Sequence, residues 1–232
     1  MENIRHIFFD LDNTLWDYRR NAKITLAKLF EEFQIKEKHA YTFEEFYPFY
    51  YESNESLWAD LRDKKVTKDE LRARRFPEAF AGLGIENASF AMDFEERFVN
   101  EVTNSNYVVE GAEELLEYLK DKYTIHILSN GFEEVTHWKI EKSIIKDYID
   151  TITTAEGAGA PKPDPIAFQT SLDKAGATKE ESIYIGDDWI ADMIGATTFG
   201  MNAIFFNPLN ENHMWIEEVP IVGQLIQLKK YL

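Results

Sequence analysis

Five short runs rich in Ile, Leu, Phe and Tyr recur along the chain, and each is followed directly by polar or small residues. They are residues 4–9, 124–128, 149–153, 182–185 and 202–206. Runs of this length that end abruptly are typical of strands buried on both faces of a parallel sheet. The pattern therefore predicts a mostly parallel sheet at the centre of the fold.

Helical patterns, with apolar residues three and four positions apart, lie between these strands. Residues 111–122 place Leu115, Leu116 and Leu119 on one stripe. The other helical segments are residues 133–145, 166–175 and 190–199. Alternating strands and helices predict an α/β fold with a doubly wound, Rossmann-like sheet. Ligands of such sheets bind beyond the carboxyl ends of the strands, so the polar residues found there are candidates for function.

Residues 17–107 interrupt this alternation because they are helical by pattern and contain no convincing buried strand. The predicted helices are residues 22–33, 43–61, 68–83 and 90–102. We expect an all-helical cap domain at 17–107, inserted into an α/β core formed by residues 1–16 and 108–232. Pro77 is expected to start or kink one of the inserted helices. The last residues, "IVGQLIQLKKYL", are predicted to form an amphipathic helix that packs on the core.

Composition limits the partners. The chain has 232 residues, with 42 acidic against 25 basic, a formal charge of −17. Such a surface disfavours nucleic-acid polymers and anionic membranes, although a local site can still hold a small phosphorylated metabolite. Cysteine is absent, so disulfides and thiolate metal sites are excluded. Without an apolar stretch near ~20 residues or a basic leader, we expect a soluble cytoplasmic protein, with its oligomeric state open.

The polar residues that follow the strands form four ordered motifs. Asp10 and Asp12 directly follow the first strand, and alone this pair is better explained by a strand-end turn or a helix cap. The later motif residues are Ser129 and Asn130, Lys162 in "GAPKPDP", and Asp187, Asp188 and Asp192 in "IGDDWIAD". Together the four motifs resemble those of the haloacid dehalogenase superfamily, in its phosphatase branch. The helical segment after the first motif resembles that superfamily's cap of the first type.

This resemblance implies roles for the two carboxylates of the first motif. Asp10 would be the nucleophile that forms an aspartyl-phosphate, which divides one difficult displacement into two easier ones. Asp12 would protonate the leaving alkoxide and then activate water. A free Asp is almost fully ionised at neutral pH, so we expect burial and a neighbouring carboxylate to raise the pKa of Asp12.

The same resemblance implies a Mg²⁺ site. A side-chain oxygen of Asp10, the backbone oxygen of Asp12 and a carboxylate oxygen of Asp187 would be its ligands. Carboxylates and a dianionic phosphate repel one another without a cation, and hard oxygen ligands favour Mg²⁺. Asp188 is a candidate for a group adjacent to the metal. Asp192 would orient Lys162 or a metal-bound water, and otherwise is an acid on a helix face.

Phosphate binding is expected from side chains of three motifs. Ser129, Asn130 and Lys162 would contact the phosphoryl oxygens, and Thr14 would hold the first loop or contact phosphate. Read alone, Ser129 and Asn130 also fit a helix N-cap, and both roles can coexist. Lys162 lies between two prolines, which favours a fixed position over a solvated loop.

The substrate is less well determined by the sequence. Dehalogenases typically lack an aspartate at position 12, and phosphomutases usually carry an acid where this chain has Gly186, so hydrolysis of a phosphate ester is favoured. Similarity to bacterial house-cleaning pyrimidine 5′-nucleotidases suggests a nucleoside monophosphate. The alternatives are a sugar-phosphate phosphatase, a phosphomutase or a non-catalytic binding protein that retains the fold. Four aromatic residues are candidates for substrate specificity or, alternatively, for core packing: Trp16, Tyr18, Tyr47 and Tyr51.

Overall fold

A six-stranded parallel sheet forms the centre of the computed structural model, which describes residues 3–212 and 219–232. Its strands are β1 (His6–Phe9), β2 (Thr124–Ser129), β3 (Thr151–Thr154), β4 (Ser182–Gly186), β5 (Asn202–Phe206) and β6 (Ile221–Val222). They lie in the order β3-β2-β1-β4-β5-β6, and every neighbouring pair is parallel. The predicted fold class is confirmed.

The register of the central strands brings their carboxyl ends together. Phe9, the last residue of β1, lies opposite Ile127 of β2 and Ile185 of β4. The next residue, Asp10, donates its backbone N–H to the carbonyl of Ile185 at 2.8 Å. The residues that end or follow these three strands therefore meet at one edge of the sheet, around Asp10.

Two compact units divide the chain, Met1–Tyr18 with Asn106–Leu232 and Arg19–Ser105. The second contains most of α1 (Tyr18–Glu32), together with α2 (Ile35–His39), α3 (Phe43–Arg62), α4 (Lys68–Gly82) and α5 (Ala91–Glu101). Its interior is aromatic; the rings of Phe46 and Phe80, for example, stack with centroids 4.8 Å apart. Pro77 lies inside α4 and not at its start. The helical unit Arg19–Ser105 is close to the predicted segment 17–107. Its function as a cap domain stays a prediction.

Helices of the first unit flank the sheet. They are α6 (Ala112–Leu119), α7 (Glu133–Glu141), α8 (Ala155–Ala158), α9 (Pro165–Ala175) and α10 (Gly195–Phe199). A π-helical segment, Trp189–Ile194, leads directly into α10. The helix predicted at 133–145 is therefore shorter, and the one predicted at 190–199 changes its hydrogen-bonding pattern along its length.

The prediction of a C-terminal amphipathic helix is wrong in its first half. Residues Ile221–Val222 form β6 instead, because Phe205 and Asn207 donate backbone N–H groups to Pro220 and Val222. A 3₁₀ helix follows at Leu225–Lys230, and its Leu225 and Leu228 are buried. The predicted packing of an apolar face on the core is thus found in a shorter, tighter helix.

Among the described residues, no helix has the length and apolar character needed to span a membrane.

A buried histidine lies in β2, away from the carboxyl ends of the strands. His126 has no exposed surface; its Nε2 lies 3.0 Å from His6 Nδ1, and its Nδ1 lies 2.9 Å from Thr151 Oγ1. Burial, and to a smaller extent the neighbouring His6, lower the pKa of His126 from 6.5 to about 4. Asp150, 3.9 Å away, acts in the opposite direction.

This histidine makes stability depend on pH. Between pH 6.5 and about 4 the unfolded chain binds a proton at His126 and the folded chain does not. Stability contributed by neutral His126 is therefore lost as pH falls through that window. Urea unfolding at pH 7 and pH 5 should show a smaller loss for His126→Asn than for the wild type. His137→Asn, at an exposed position in α7, should behave as the wild type does. Equal losses in His126→Asn and the wild type would contradict this assignment.

Candidate active site

A buried lysine joins two of the motifs. Lys162 is 2% exposed, and its Nζ lies 2.7 Å from Asp10 Oδ1, from Asp192 Oδ1 and from the Tyr184 hydroxyl. These three contacts use the three N–H donors of an ammonium group. The expectation that Lys162 has a fixed position, and that Asp192 orients it, agrees with this geometry.

The side chain of Asn130 holds the backbone of Lys162. Its Oδ1 accepts the backbone N–H of Lys162 at 2.8 Å, and its Nδ2 donates to the Lys162 carbonyl at 2.9 Å. Neighbouring Ser129 is buried, and its Oγ accepts the N–H of Gly131 at 3.0 Å, which leaves the hydroxyl proton as a donor. The predicted phosphate contact therefore suits the Ser129 hydroxyl better than the Asn130 amide.

Three carboxylates lie close enough to share a cation. Oxygens of Asp10, Asp187 and Asp192 all lie within 4.8 Å of one another, the one such group found in residues 3–212 and 219–232. Thr14 is buried and donates its hydroxyl to Asp187 Oδ1 at 3.3 Å, so it supports this cluster. An all-oxygen donor set with an excess of negative charge fits Mg²⁺. The Asp12 side chain does not belong to the cluster, and its predicted ligand is a backbone oxygen.

Burial and mutual repulsion shift the ionisation of this cluster. Burial raises the pKa of Asp10 to about 7, although the ammonium of Lys162 acts in the opposite direction. Burial likewise raises the pKa of Asp192. Burial alone lowers the pKa of Lys162, but attraction to Asp10 and Asp192 is stronger and raises it overall. The lysine therefore stays charged, and a bound divalent cation would favour the ionised form of the carboxylates.

The fourth motif is held by its own side chains. Asp188 caps the helical segment that follows it, because its Oδ1 accepts the N–H groups of Ile190 and Ala191 at 2.8 and 2.9 Å. Asp192 is fully buried, and its Oδ2 accepts the Asp188 N–H at 3.0 Å. The structure thus gives Asp188 a capping role that explains it without a metal.

Asp12 has an environment that the sequence analysis did not foresee. Its side chain is 25% exposed, and its Oδ1 and Oδ2 lie 2.6 and 2.7 Å from Nζ of Lys139 in α7. An ammonium partner thus replaces the deep burial that was expected. Lys139 was missed because a single lysine in a helix is usually solvated. Its position four residues after buried Val135 and next to buried Ile140 was the available signal.

The four aromatic candidates lie in different surroundings. Trp16 is fully buried, and its Nε1 donates to Asn106 Oδ1, which agrees with the alternative of core packing; contact of its ring with substrate stays a prediction. Tyr18 is half-buried in the same unit. Tyr47 and Tyr51 belong to the helical unit, where Tyr47 is half-buried beneath Lys23 Nζ and Tyr51 is 39% exposed. The structure gives the location and exposure of these tyrosines. Roles for Tyr18, Tyr47 and Tyr51 in substrate specificity stay predictions.

Comparison with known proteins agrees with this fold and these motifs. Residues 7–206 match the haloacid dehalogenase-like hydrolase family, and the chain belongs to it. The predicted superfamily and the prediction of a hydrolase are therefore confirmed. Similarity to curated phosphatases supports the phosphoric monoester class.

Two curated relatives and one solved structure illustrate the similarity. Pyrimidine 5′-nucleotidase PynA of Streptococcus pneumoniae is 29% identical over 90% of this chain and 86% of its own length. Pyrimidine 5′-nucleotidase YjjG of Escherichia coli is 26% identical over 87% and 85%. The magnesium-bound structure of the HAD-hydrolase YfnB of Bacillus subtilis has a TM-score of 0.87 at 23% identity and covers 99% of this chain and 98% of its own. At that identity, the likeness to YfnB establishes the fold.

Gly186 provides a test of the packing around Asp192. A Cβ at position 186 would lie 2.1 Å from Asp192 Oδ2, so Gly186→Ala must displace the buried carboxylate that holds Lys162. We expect a loss of about 1–3 kcal/mol in the free energy of unfolding, measured with urea. Gly223→Ala is the control, because a Cβ there meets its nearest atom at 3.9 Å. Equal stability of the two variants would contradict the close packing.

Proposed function

We propose that the protein hydrolyses a small phosphomonoester, and specifically a nucleoside 5′-monophosphate, through an aspartyl-phosphate on Asp10. One observation carries this proposal: a buried carboxylate at the end of the central strand, held by Lys162 within a cluster of acids. A buried ammonium facing several carboxylates suits a site that receives an anion and a cation together. Gly186 stands where phosphomutases of this superfamily usually carry an acidic residue, which favours hydrolysis over mutase chemistry.

The first half of the reaction forms the covalent intermediate. Lys162 holds Asp10 Oδ1, so Oδ2 is the oxygen that attacks phosphorus. The bond between phosphorus and the ester oxygen breaks, and Asp12 supplies the proton that the departing alkoxide takes. The Ser129 hydroxyl donates a hydrogen bond to a phosphoryl oxygen, and the Lys162 ammonium contributes positive charge beside the phosphoryl oxygens, where negative charge accumulates.

The second half releases phosphate. Asp12 accepts a proton from water, the water oxygen attacks phosphorus, and the Asp10 carboxylate leaves. Mg²⁺, held by Asp10, Asp187 and the backbone oxygen of Asp12, would shield the repulsion between carboxylates and phosphate. Asp12 ends each cycle in the protonation state in which it began.

Similarity to PynA and YjjG, both pyrimidine 5′-nucleotidases, supports the choice of substrate. We propose that the unit Arg19–Ser105 acts as the cap and that Tyr47 and Tyr51 help to select the base. Aromatic rings stack on nucleobases of any sequence, and this interaction is worth about 1–3 kcal/mol per base.

A substrate panel tests this proposal. Purified protein should release phosphate from nucleoside 5′-monophosphates faster than from sugar phosphates, and only when Mg²⁺ is present. Removal of the cation with a chelator should stop the reaction, and added Mg²⁺ should restore it. A preference for sugar phosphates would overturn the substrate, and absence of turnover across the panel would favour a binding protein with this fold.

Substitution of Asp10 tests the nucleophile. Asp10→Asn keeps the size of the side chain but removes the charged attacking oxygen, so we expect turnover to fall to background. Circular dichroism should show unchanged secondary structure. Asp121→Asn, at an exposed position after α6, is the matched control and should keep full activity. Substantial turnover by freshly purified Asp10→Asn would exclude Asp10 as the nucleophile.

A further inference from the structure

Lys139 is a buried charge that the four motifs leave without a role. It lies in α7 and is 3% exposed, although lysine is rarely buried to this extent. Its ammonium contacts both carboxylate oxygens of Asp12, at 2.6 and 2.7 Å. The two residues are 127 positions apart in the chain, so the contact arises from the fold. Placing an ammonium inside the protein is costly unless a partner compensates it.

Two aromatic rings complete the surroundings of this ammonium. Lys139 Nζ lies 4.7 Å from the centre of the Trp16 ring and 5.3 Å from that of Tyr18. Cations are attracted to aromatic faces at such distances. The Trp16 side chain is itself fixed by its hydrogen bond to Asn106, and the Trp16 backbone by isolated β-bridges to Asp12 and Val108. The Lys139 ammonium is therefore held by two aromatic rings in addition to the Asp12 carboxylate.

The chemistry proposed for Asp12 requires such a fixed position. Asp12 lies in the loop after β1 with a side chain that is 25% exposed, so burial alone does not restrict its rotation. A general acid or base must lie within hydrogen-bonding reach of the atom with which it exchanges a proton. Each carboxylate oxygen has two acceptor sites, so contact with Lys139 leaves others for this exchange.

We propose that Lys139 is a positioning residue that fixes the Asp12 carboxylate for proton transfer in both halves of the reaction; this rests on the function proposed above. Lys162 and Lys139 thus position different carboxylates. Lys162 holds the attacking carboxylate of Asp10 and Lys139 holds the proton carrier. Trp16 and Tyr18 act by holding Lys139, which gives a role within the protein to two residues that were candidates for substrate specificity.

A double-mutant cycle tests the proposal. Lys139→Met keeps the length and packing of the side chain but removes the ammonium, and Asp12→Asn removes the proton carrier. We expect Lys139→Met to lower kcat for a nucleoside monophosphate by about a hundredfold, with KM nearly unchanged, as for a misplaced catalytic group. Asp12→Asn should lower kcat by about 10²–10⁴-fold. Because Lys139 acts through Asp12, the double variant should be no slower than Asp12→Asn alone.

A second readout separates positioning from simple stabilisation. The alkoxide of a nucleotide needs a proton to leave, whereas p-nitrophenolate leaves without one. Lys139→Met should therefore slow formation of the phosphoenzyme from the nucleotide much more than from p-nitrophenyl phosphate, in single-turnover measurements. Lys142→Met, at an exposed position just after α7, should match the wild type on both substrates. If Lys139→Met does not fold, Lys139→Gln is carried through the same cycle.

The outcomes distinguish the proposed role of Lys139 from the proposed phosphatase function on which it rests. Losses that multiply in the double variant, or equal slowing on both esters, would overturn the role of Lys139 while leaving the phosphatase intact. Full activity of Lys139→Met would do the same. A wild type that hydrolyses no phosphomonoester would overturn both proposals.

Discussion

The ion pair between Lys162 and Asp10 governs the arrangement of the whole site. Its 2.7 Å contact is buried, and the same ammonium also holds Asp192 and the hydroxyl of Tyr184. Removing one partner of a buried pair leaves the other charge uncompensated, at a cost of about 3–5 kcal/mol. Because the cluster has three carboxylates and the ammonium of Lys162 contacts Asp10 and Asp192, negative charge remains in excess at this edge. That excess supports the proposal that a cation takes part in the chemistry of the site.

The parallel sheet brings these distant residues together. Asp10 and Lys162 are 152 positions apart, yet the register of β1 with β4 places Asp10 beside the fourth motif. Motif side chains also hold one another in place: Asn130 fixes the backbone of Lys162, and Thr14 supports Asp187. The chain therefore positions the reactive groups by contacts between elements, each of which has a fixed place in the sheet.

Short apolar runs followed by polar residues were sufficient to predict the first five strands and the edge where the site lies. Side-chain partners could not be predicted in the same way. Asn130 contacts backbone, Asp188 caps a helix and Trp16 is buried, although each sequence motif was equally compatible with a contact to ligand. There was little indication in the sequence that Lys139 is buried, since the buried face of α7 becomes clear only when the ends of this helix are known. The sixth strand depends on pairing with β5, which no local pattern reveals.

In the proposed mechanism, the Asp10 carboxylate accepts the phosphoryl group. Acid quenching during steady-state turnover, followed by mass spectrometry of peptides, tests it most directly. We expect a phosphoryl group on the side chain of Asp10 that appears and decays at rates compatible with turnover. Phosphorylation of another residue, or release of phosphate with no phosphorylated enzyme under conditions that preserve acyl phosphates, would exclude Asp10 as the phosphoryl acceptor.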